Sequence, residues 1–301
     1  ELNLRVTPEG EVNYIFWKEN TDDSSPSETT IALENVEFNN AKLRYLDEEM
    51  DLRVIIFINT LEITGGYKAA IFQSEIAGNG ILADLTFEDY DLADSLTLAT
   101  HGNLSSQNGS TKIRIEELLL QDIALTGTGE LHDKAQRWKL ASKNSRLHQW
   151  LRIVPKEWQP SIDPAAIGGE ADAQFDIILD DKTKEVLASA TIKDASLRLE
   201  EKHILLQNTN GEIAFRYATT AGRTVSHLSF KQVKAKTRTG ELALNLDIEN
   251  VFQPQVDATG SFNIQLEELL AVARPGLLKE ARGIVNGNFS YVKNFSDWDD
   301  L

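Results

Sequence analysis

Leu242-Ala243-Leu244-Asn245-Leu246-Asp247-Ile248 sets a branched aliphatic residue at every second position, with small or polar residues between. Side chains of an extended chain point alternately to opposite faces, so this stretch is a strand with one apolar and one wet side. The same period of two recurs at Val256, Ala258, Gly260, Phe262 and Ile264, at Ile213, Phe215 and Tyr217, and at Ala171, Ala173, Phe175 and Ile177. It is read again at Ile81, Ala83, Leu85 and Phe87. The chain is therefore expected to be mostly antiparallel sheet. Where Leu228 and Phe230 give way to Val233 and Ala235 across Lys231-Gln232, the parity slips by one, which is how a bulge that bends a sheet reads in sequence. Gln107-Asn108-Gly109-Ser110, Asn208-Thr209-Asn210-Gly211 and Thr237-Arg238-Thr239-Gly240 read as short connections, and a meander follows. Thr21 to Thr30, rich in Ser, Thr, Asp and Glu, reads as a loop.

Helical spacing occurs twice. Leu147, Trp150, Leu151 and Val154 follow the i, i+3, i+4, i+7 rule, with Asn144 or Ser145 as cap and Pro155 as stop. Leu266, Leu269, Leu270 and Ala273 follow it again, with Asn263 before them and Pro275 after. These predict short helices over 145–154 and 265–274. Gly169 stands six residues before Phe175, and Gly283 six before Phe289. Helix, proline and glycine-led strand thus recur, and the chain reads as a unit over 1–143, a second over 144–264 that opens with a helix, and the start of a further repeat over 265–301. Two sandwich domains that merely share this transition are the competing reading.

The 301 residues carry 30 Lys and Arg against 47 Asp and Glu, a net charge of −17 that argues against a nucleic-acid partner. There is no cysteine, which removes disulfides, thiolate nucleophiles and cysteine-ligated metals. The longest apolar run, Val54-Ile55-Ile56-Phe57-Ile58, is far short of the roughly 18 residues of a membrane helix. His101, His132, His148, His203 and His227 show no metal-ligand spacing. Gly127-Thr128-Gly129 lacks the third glycine of a dinucleotide loop and reads as a turn. Glu88-Asp89-Tyr90-Asp91 with Asp94 lacks the glycine and terminal Glu of a calcium loop. The five tryptophans, Trp17, Trp138, Trp150, Trp158 and Trp298, do not alternate on one strand as a sugar platform would, and Trp150 reads as a helix anchor. No enzyme activity, cofactor or metal is expected.

Val6-Thr7-Pro8-Glu9-Gly10-Glu11-Val12-Asn13-Tyr14, followed by Ile31 to Asp47, resembles the AsmA-like family of Gram-negative bacterial envelope proteins. Leu147 through Pro155 to Gly169 and Phe175 is similar to that family's helix, proline and glycine-led strand, and Asn250-Val251-Phe252-Gln253-Pro254 to its later portion. The resemblance carries no catalytic residue. It implies a periplasmic protein, held to the inner membrane by an N-terminal anchor outside this sequence, that moves phospholipid between inner and outer membranes or maintains the outer membrane, with outer-membrane or envelope proteins as partners. Together the two readings give an elongated, curved antiparallel sheet forming an open groove or half-barrel, with few short helices. Its groove candidates are Leu197, Leu199, Ile213, Phe215, Leu228, Phe230, Leu242, Leu244, Leu246 and Ile248, and its ligand is a phospholipid or other acyl-chain lipid. The competing class is a periplasmic or surface β module for glycan or protein, with an ordinary closed core.

Overall fold

The computed structural model describes residues 2–8, 31–48, 51–68, 70–87, 90–93, 95–132, 135–151, 166–180, 182–199, 204–220, 223–251, 253–273 and 282–295. The strands are β1 (Leu2–Val6), β2 (Ile31–Asp47), β3 (Leu52–Lys68), β4 (Ile71–Phe87), β5 (Tyr90–Ala93), β6 (Leu96–Gln107), β7 (Ser110–Leu120), β8 (Ile123–His132) and β9 (Ala135–Arg146). Helix α1 (Leu147–Trp150) follows, then β10 (Ile167–Leu179), β11 (Thr183–Leu199), β12 (Ile204–Thr220), β13 (Arg223–Lys236), β14 (Glu241–Glu249) and β15 (Gln255–Gln265). Helix α2 (Leu266–Ala273) and β16 (Ile284–Asn294) complete the described chain. Neighbours in sequence are neighbours in the sheet, apart from β5, which branches off β4, and β1, which runs parallel to β2. Among the described residues the strands follow one meander order, and the two end strands, β1 and β16, do not pair with each other.

The chain forms two compact units, 1–141 with 152–159 and 177–182, and 142–151 with 160–176 and 183–301. In each, register pairing sorts the side chains onto an apolar and a polar face. In the first unit Val54, Ile56 and Ile58 of β3 pair with Tyr45, Leu43 and Ala41 of β2, while Ile55 and Phe57 turn to the other side. The apolar run of β3 is thus divided between both faces by the period of two. Leu82 and Leu96 are buried there with Val54, Ile56, Leu85 and Leu120 packed against them, and Ile123 is completely buried. Among the described residues no second sheet or helix layer covers this face.

Several sequence expectations are corrected. Ile81 pairs with Phe57 and stands on the polar face, whereas Leu85 pairs with Val54, because the register slips between Ile55 and Ile56. The alternation read from Ile81 to Phe87 therefore spans a bulge. Asn108-Gly109 is a hairpin tip with φ of 50° and 72°, both in the left-handed region a primed turn requires. Asn208, however, lies inside β12 at φ 47°, where the pairing with β13 shifts, so that segment is a bulge and not a connection. Gly127-Thr128-Gly129 is no turn but the middle of β8, where glycines leave room for Leu140 and Trp138 of β9 to lie across the strand.

The first helix is shorter than the spacing predicts. Asn144 sits at φ 50° within β9 and Ser145 is still extended, so α1 begins only at Leu147. Arg146 is its cap, and the Arg146 N–H donates to Gln149 Oε1 at 3.2 Å. Trp150 anchors it: Nε1 donates to Ser145 Oγ at 2.7 Å, Ser145 Oγ donates to the Ala171 carbonyl at 3.0 Å, and the indole stacks on Phe175 at 5.5 Å. Helix α2 matches its expected span closely. After each helix a glycine of positive φ stands near the start of the next strand, Gly169 at 99° as the third residue of β10 and Gly283 at 130° just before β16, a region side-chain-bearing residues avoid. Val154, Pro155, Pro275, Thr21–Thr30, Trp17, Trp158, Trp298, Val12-Asn13-Tyr14, Phe252, His203, Glu88, Asp89 and Asp94 lie outside the described residues.

Candidate functional site: the apolar face of the second unit

Strands β11 to β16 assemble the face residue by residue. Ile213 of β12 pairs with Ala190 of β11 and Phe230 of β13, and Phe215 with Ala188 and Leu228. Leu228 and Phe230 pair in turn with Ile248 and Leu246 of β14. Beyond the bulge, Val233 and Ala235 pair with Leu244 and Leu242. On β15 the partners of Leu242, Leu244, Leu246 and Ile248 are Phe262, Gly260, Ala258 and Val256, which lead on to Gly287, Phe289, Tyr291 and Lys293 of β16. Leu197 pairs with Leu206, and Leu199 with Ile204 at the strand end, the Leu199 side chain lying outside the described residues. Cross-strand partners share a face, so the structure brings the nine described candidates onto one side.

That face is half-covered rather than buried. Ile213, Phe215, Leu228, Phe230, Leu242, Leu244 and Leu246 are all intermediate in exposure, and among the candidates only Ile248 is buried, at 4%. Cover comes from within the sheet itself. The Phe289 ring lies where a Cβ on Gly260 would stand, at 2.6 Å, and the Phe262 ring lies equally close over Gly287. In the first unit the Trp138 indole lies over Gly129 in the same way. Large rings lying over glycines pave the apolar face one side chain deep. At one end Phe295 joins Ile248 and Val256 in a buried cluster with Leu228 and Leu246 packed against it. The Phe295 N–H donates to the Pro254 carbonyl, and Val251 N–H to Ser226 Oγ at 2.9 Å, which fixes this end wall.

A line of bulges keeps the face continuous. Asn144, Asp194 and Gln232 stand at φ 50°, 48° and 52° on β9, β11 and β13. Each backbone N–H is taken by a side chain of the following strand: Asp172 Oδ1 at 2.8 Å, Asn210 Oδ1 at 3.2 Å and Asn245 Oδ1 at 2.8 Å. These caps stand on the polar face. An extra residue at each bulge reverses parity, and the sequence reverses its hydrophobic phase at the same point, so aliphatic side chains stay on one side throughout. Asp172 also accepts from Lys193 Nζ at 2.5 Å, and this bond, with the Asn144 N–H, holds its carboxyl below the usual carboxylate range.

The opposite end is fixed by Glu268 of α2, which is 8% exposed. Its carboxylate accepts from Thr237 Oγ1 at 3.0 Å, Arg238 N–H at 3.1 Å, Thr239 N–H at 2.9 Å and Thr239 Oγ1. Burial alone would raise its pKa, but the hydrogen bonds outweigh that and hold the group below the usual carboxylate range. The helix is thereby latched to the β13–β14 turn. Sequence reasoning overlooked this residue because nothing in Leu266-Glu267-Glu268 marks which glutamate faces the turn.

The polar faces hold conventional interactions. His101 lies between Glu75, 2.9 Å from Nε2, and Glu116, 3.3 Å from Nδ1; the Glu75 hydrogen bond chiefly raises its pKa. Nearby, a depression of about 690 Å³ in the first unit is lined by Gln73, Glu75, Asn103, Lys112, Arg114 and Glu130, side chains of the polar face. Among the described residues no group of three His, Asp or Glu is placed to hold a metal ion, and no helix is long and apolar enough to cross a membrane. No protein-family model, no curated protein and no solved structure matches this chain.

Proposed function

We propose that the apolar face of β11–β16 holds the acyl chains of a phospholipid or similar lipid without chemical conversion. The observation that carries this reading is a field of half-exposed Leu, Ile and Phe without a second layer among the described residues. Each methylene withdrawn from water onto such a surface contributes roughly 0.8 kcal/mol, so a partly seated chain already binds favourably. Charged headgroups stay at the rim in water, as a shallow trough allows. The resemblance of the 6–14, 31–47, 147–175 and 250–264 segments to AsmA-like proteins supports placing this activity in the periplasm, with inner-membrane anchoring. It likewise supports a role in phospholipid movement to, or maintenance of, the outer membrane. Native mass spectrometry of the chain purified from a Gram-negative host tests the proposal: co-purified phospholipid, displaced by detergent, is expected. Lipid-free protein that also takes none up from vesicles would reject it. The rival reading, a glycan or protein module, draws support from the 690 Å³ polar depression of the first unit. Among the described residues no aromatic ring lines that depression, and Trp138 lies on the apolar face.

A further inference from the structure

We propose that the first unit docks on an anionic phospholipid surface through Lys42, Arg44, Ile55, Phe57 and Ile81, a patch on its polar face. The longest apolar run of the chain, Val54-Ile55-Ile56-Phe57-Ile58, supplies more apolar side chains than one face can take. Val54 and Ile56 pack against the buried Leu82 and Leu96. Ile55 and Phe57 turn the other way, where Phe57 pairs across the sheet with Ile81 of β4, the two being 46% and 38% exposed. A strand with one wet face carries polar residues on it, and here that rule is broken at three neighbouring positions.

The flank of this patch is cationic, in a chain whose net charge is −17. Lys42 of β2 pairs with Phe57 and sets its Nζ 5.5 Å from the centre of the ring, and the exposed Arg44 pairs with Ile55. Arg53 follows on the same face, paired with Leu46, which pairs in turn with Arg5 of β1. Glu48 neutralises Arg5 at 2.7 Å and Asp84 neutralises Arg53 at 2.9 Å. Among the described residues no carboxylate pairs with Lys42 or Arg44.

Charge complementarity names the occupant. Lipid phosphates repeat across a bilayer surface, so Lys42 and Arg44 meet them together, while the Phe57 ring and the tips of Ile55 and Ile81 enter the boundary between headgroups and acyl chains. Cations alone would hold the chain weakly there, because the rest of its acidic surface is repelled by the same lipids, and the apolar anchor supplies what they lack. That repulsion also confines the contact to this patch. None of its residues belongs to the acyl-chain face of β11–β16, so the inference stands whether or not that face holds lipid.

Cosedimentation of the whole chain with phosphatidylglycerol or phosphatidylcholine vesicles is the test. Binding to the former alone, weakened by salt, is expected. Lys42→Gln/Arg44→Gln and, separately, Phe57→Ser are each expected to weaken it roughly tenfold or more with thermal unfolding unchanged, whereas Leu244→Asp, which alters the acyl-chain face, leaves it intact. In this cysteine-free chain Phe57→Cys is expected to react quickly with a water-soluble maleimide and to be protected by phosphatidylglycerol vesicles. Binding that ignores lipid charge, or that survives in both patch variants, would overturn the proposal. So would a position 57 closed to the reagent without vesicles, which would show the chain covering its own patch, or a chain that ignores vesicles and is retained on polyglutamate, which would mark an acidic protein as the partner.

Discussion

Glu268 shows how much one side chain fixes. Four donors converge on its carboxylate from a turn that would otherwise leave backbone N–H groups of Arg238 and Thr239 unpaired. Glu268→Ala is expected to lower stability by about 1–3 kcal/mol, the range for stranding buried donors, read from urea denaturation. The pH dependence follows from its lowered pKa: a carboxylate held below its unfolded value stabilises the fold above that unfolded value, and the contribution fades as pH falls through the folded one. Acid titration of the wild type below about pH 4.5 is therefore expected to show a loss of stability that Glu268→Gln lacks. His101 has the opposite sign, its raised pKa favouring the fold below the ordinary imidazole value of 6.5 and ceasing to do so as pH rises through the folded value.

Elements are where reading and structure part company, and bulges are the reason. The alternation of β14 and β15 was legible because both strands pair without a register shift. Asn108-Gly109 was legible because a two-residue hairpin needs two left-handed residues in a row and names them. Asn208 was misread because a left-handed Asn serves a bulge as readily as a turn, and only the partner strand decides between them. Gln232 occupies the same conformation without an Asn side chain's tolerance for it. Gln232→Gly is expected to stabilise the protein by up to about 1 kcal/mol by relieving that strain, whereas Asn245→Ala removes the acceptor of the Gln232 N–H and is expected to cost about 1 kcal/mol. Thermal unfolding of the two variants in opposite directions checks the bulge line. Unchanged midpoints in both would show that β13 keeps its register by other means.

At the scale of the whole molecule, what sequence could not disclose was that no second layer lies over the apolar face among the described residues. The inner face of a closed sandwich carries the same Leu, Ile and Phe in the same period as an open trough, so periodicity names the residues of the candidate site but not what lies above them. Partial burial of Phe215, Phe230 and Leu244, with no second layer over them among the described residues, favours the trough. Leu244→Asp accordingly leaves its carboxylate within reach of water, and a loss of about 1–2 kcal/mol rather than unfolding is expected, together with loss of bound lipid. The most direct measurement is photocrosslinking from a benzophenone residue placed in turn at Leu244 and Asn245, adjacent positions on opposite faces of β14, in the presence of phospholipid vesicles. Capture of acyl chains from position 244 and none from 245 is the expected result. Capture from neither, or equally from both, would contradict an acyl-chain trough on the apolar face.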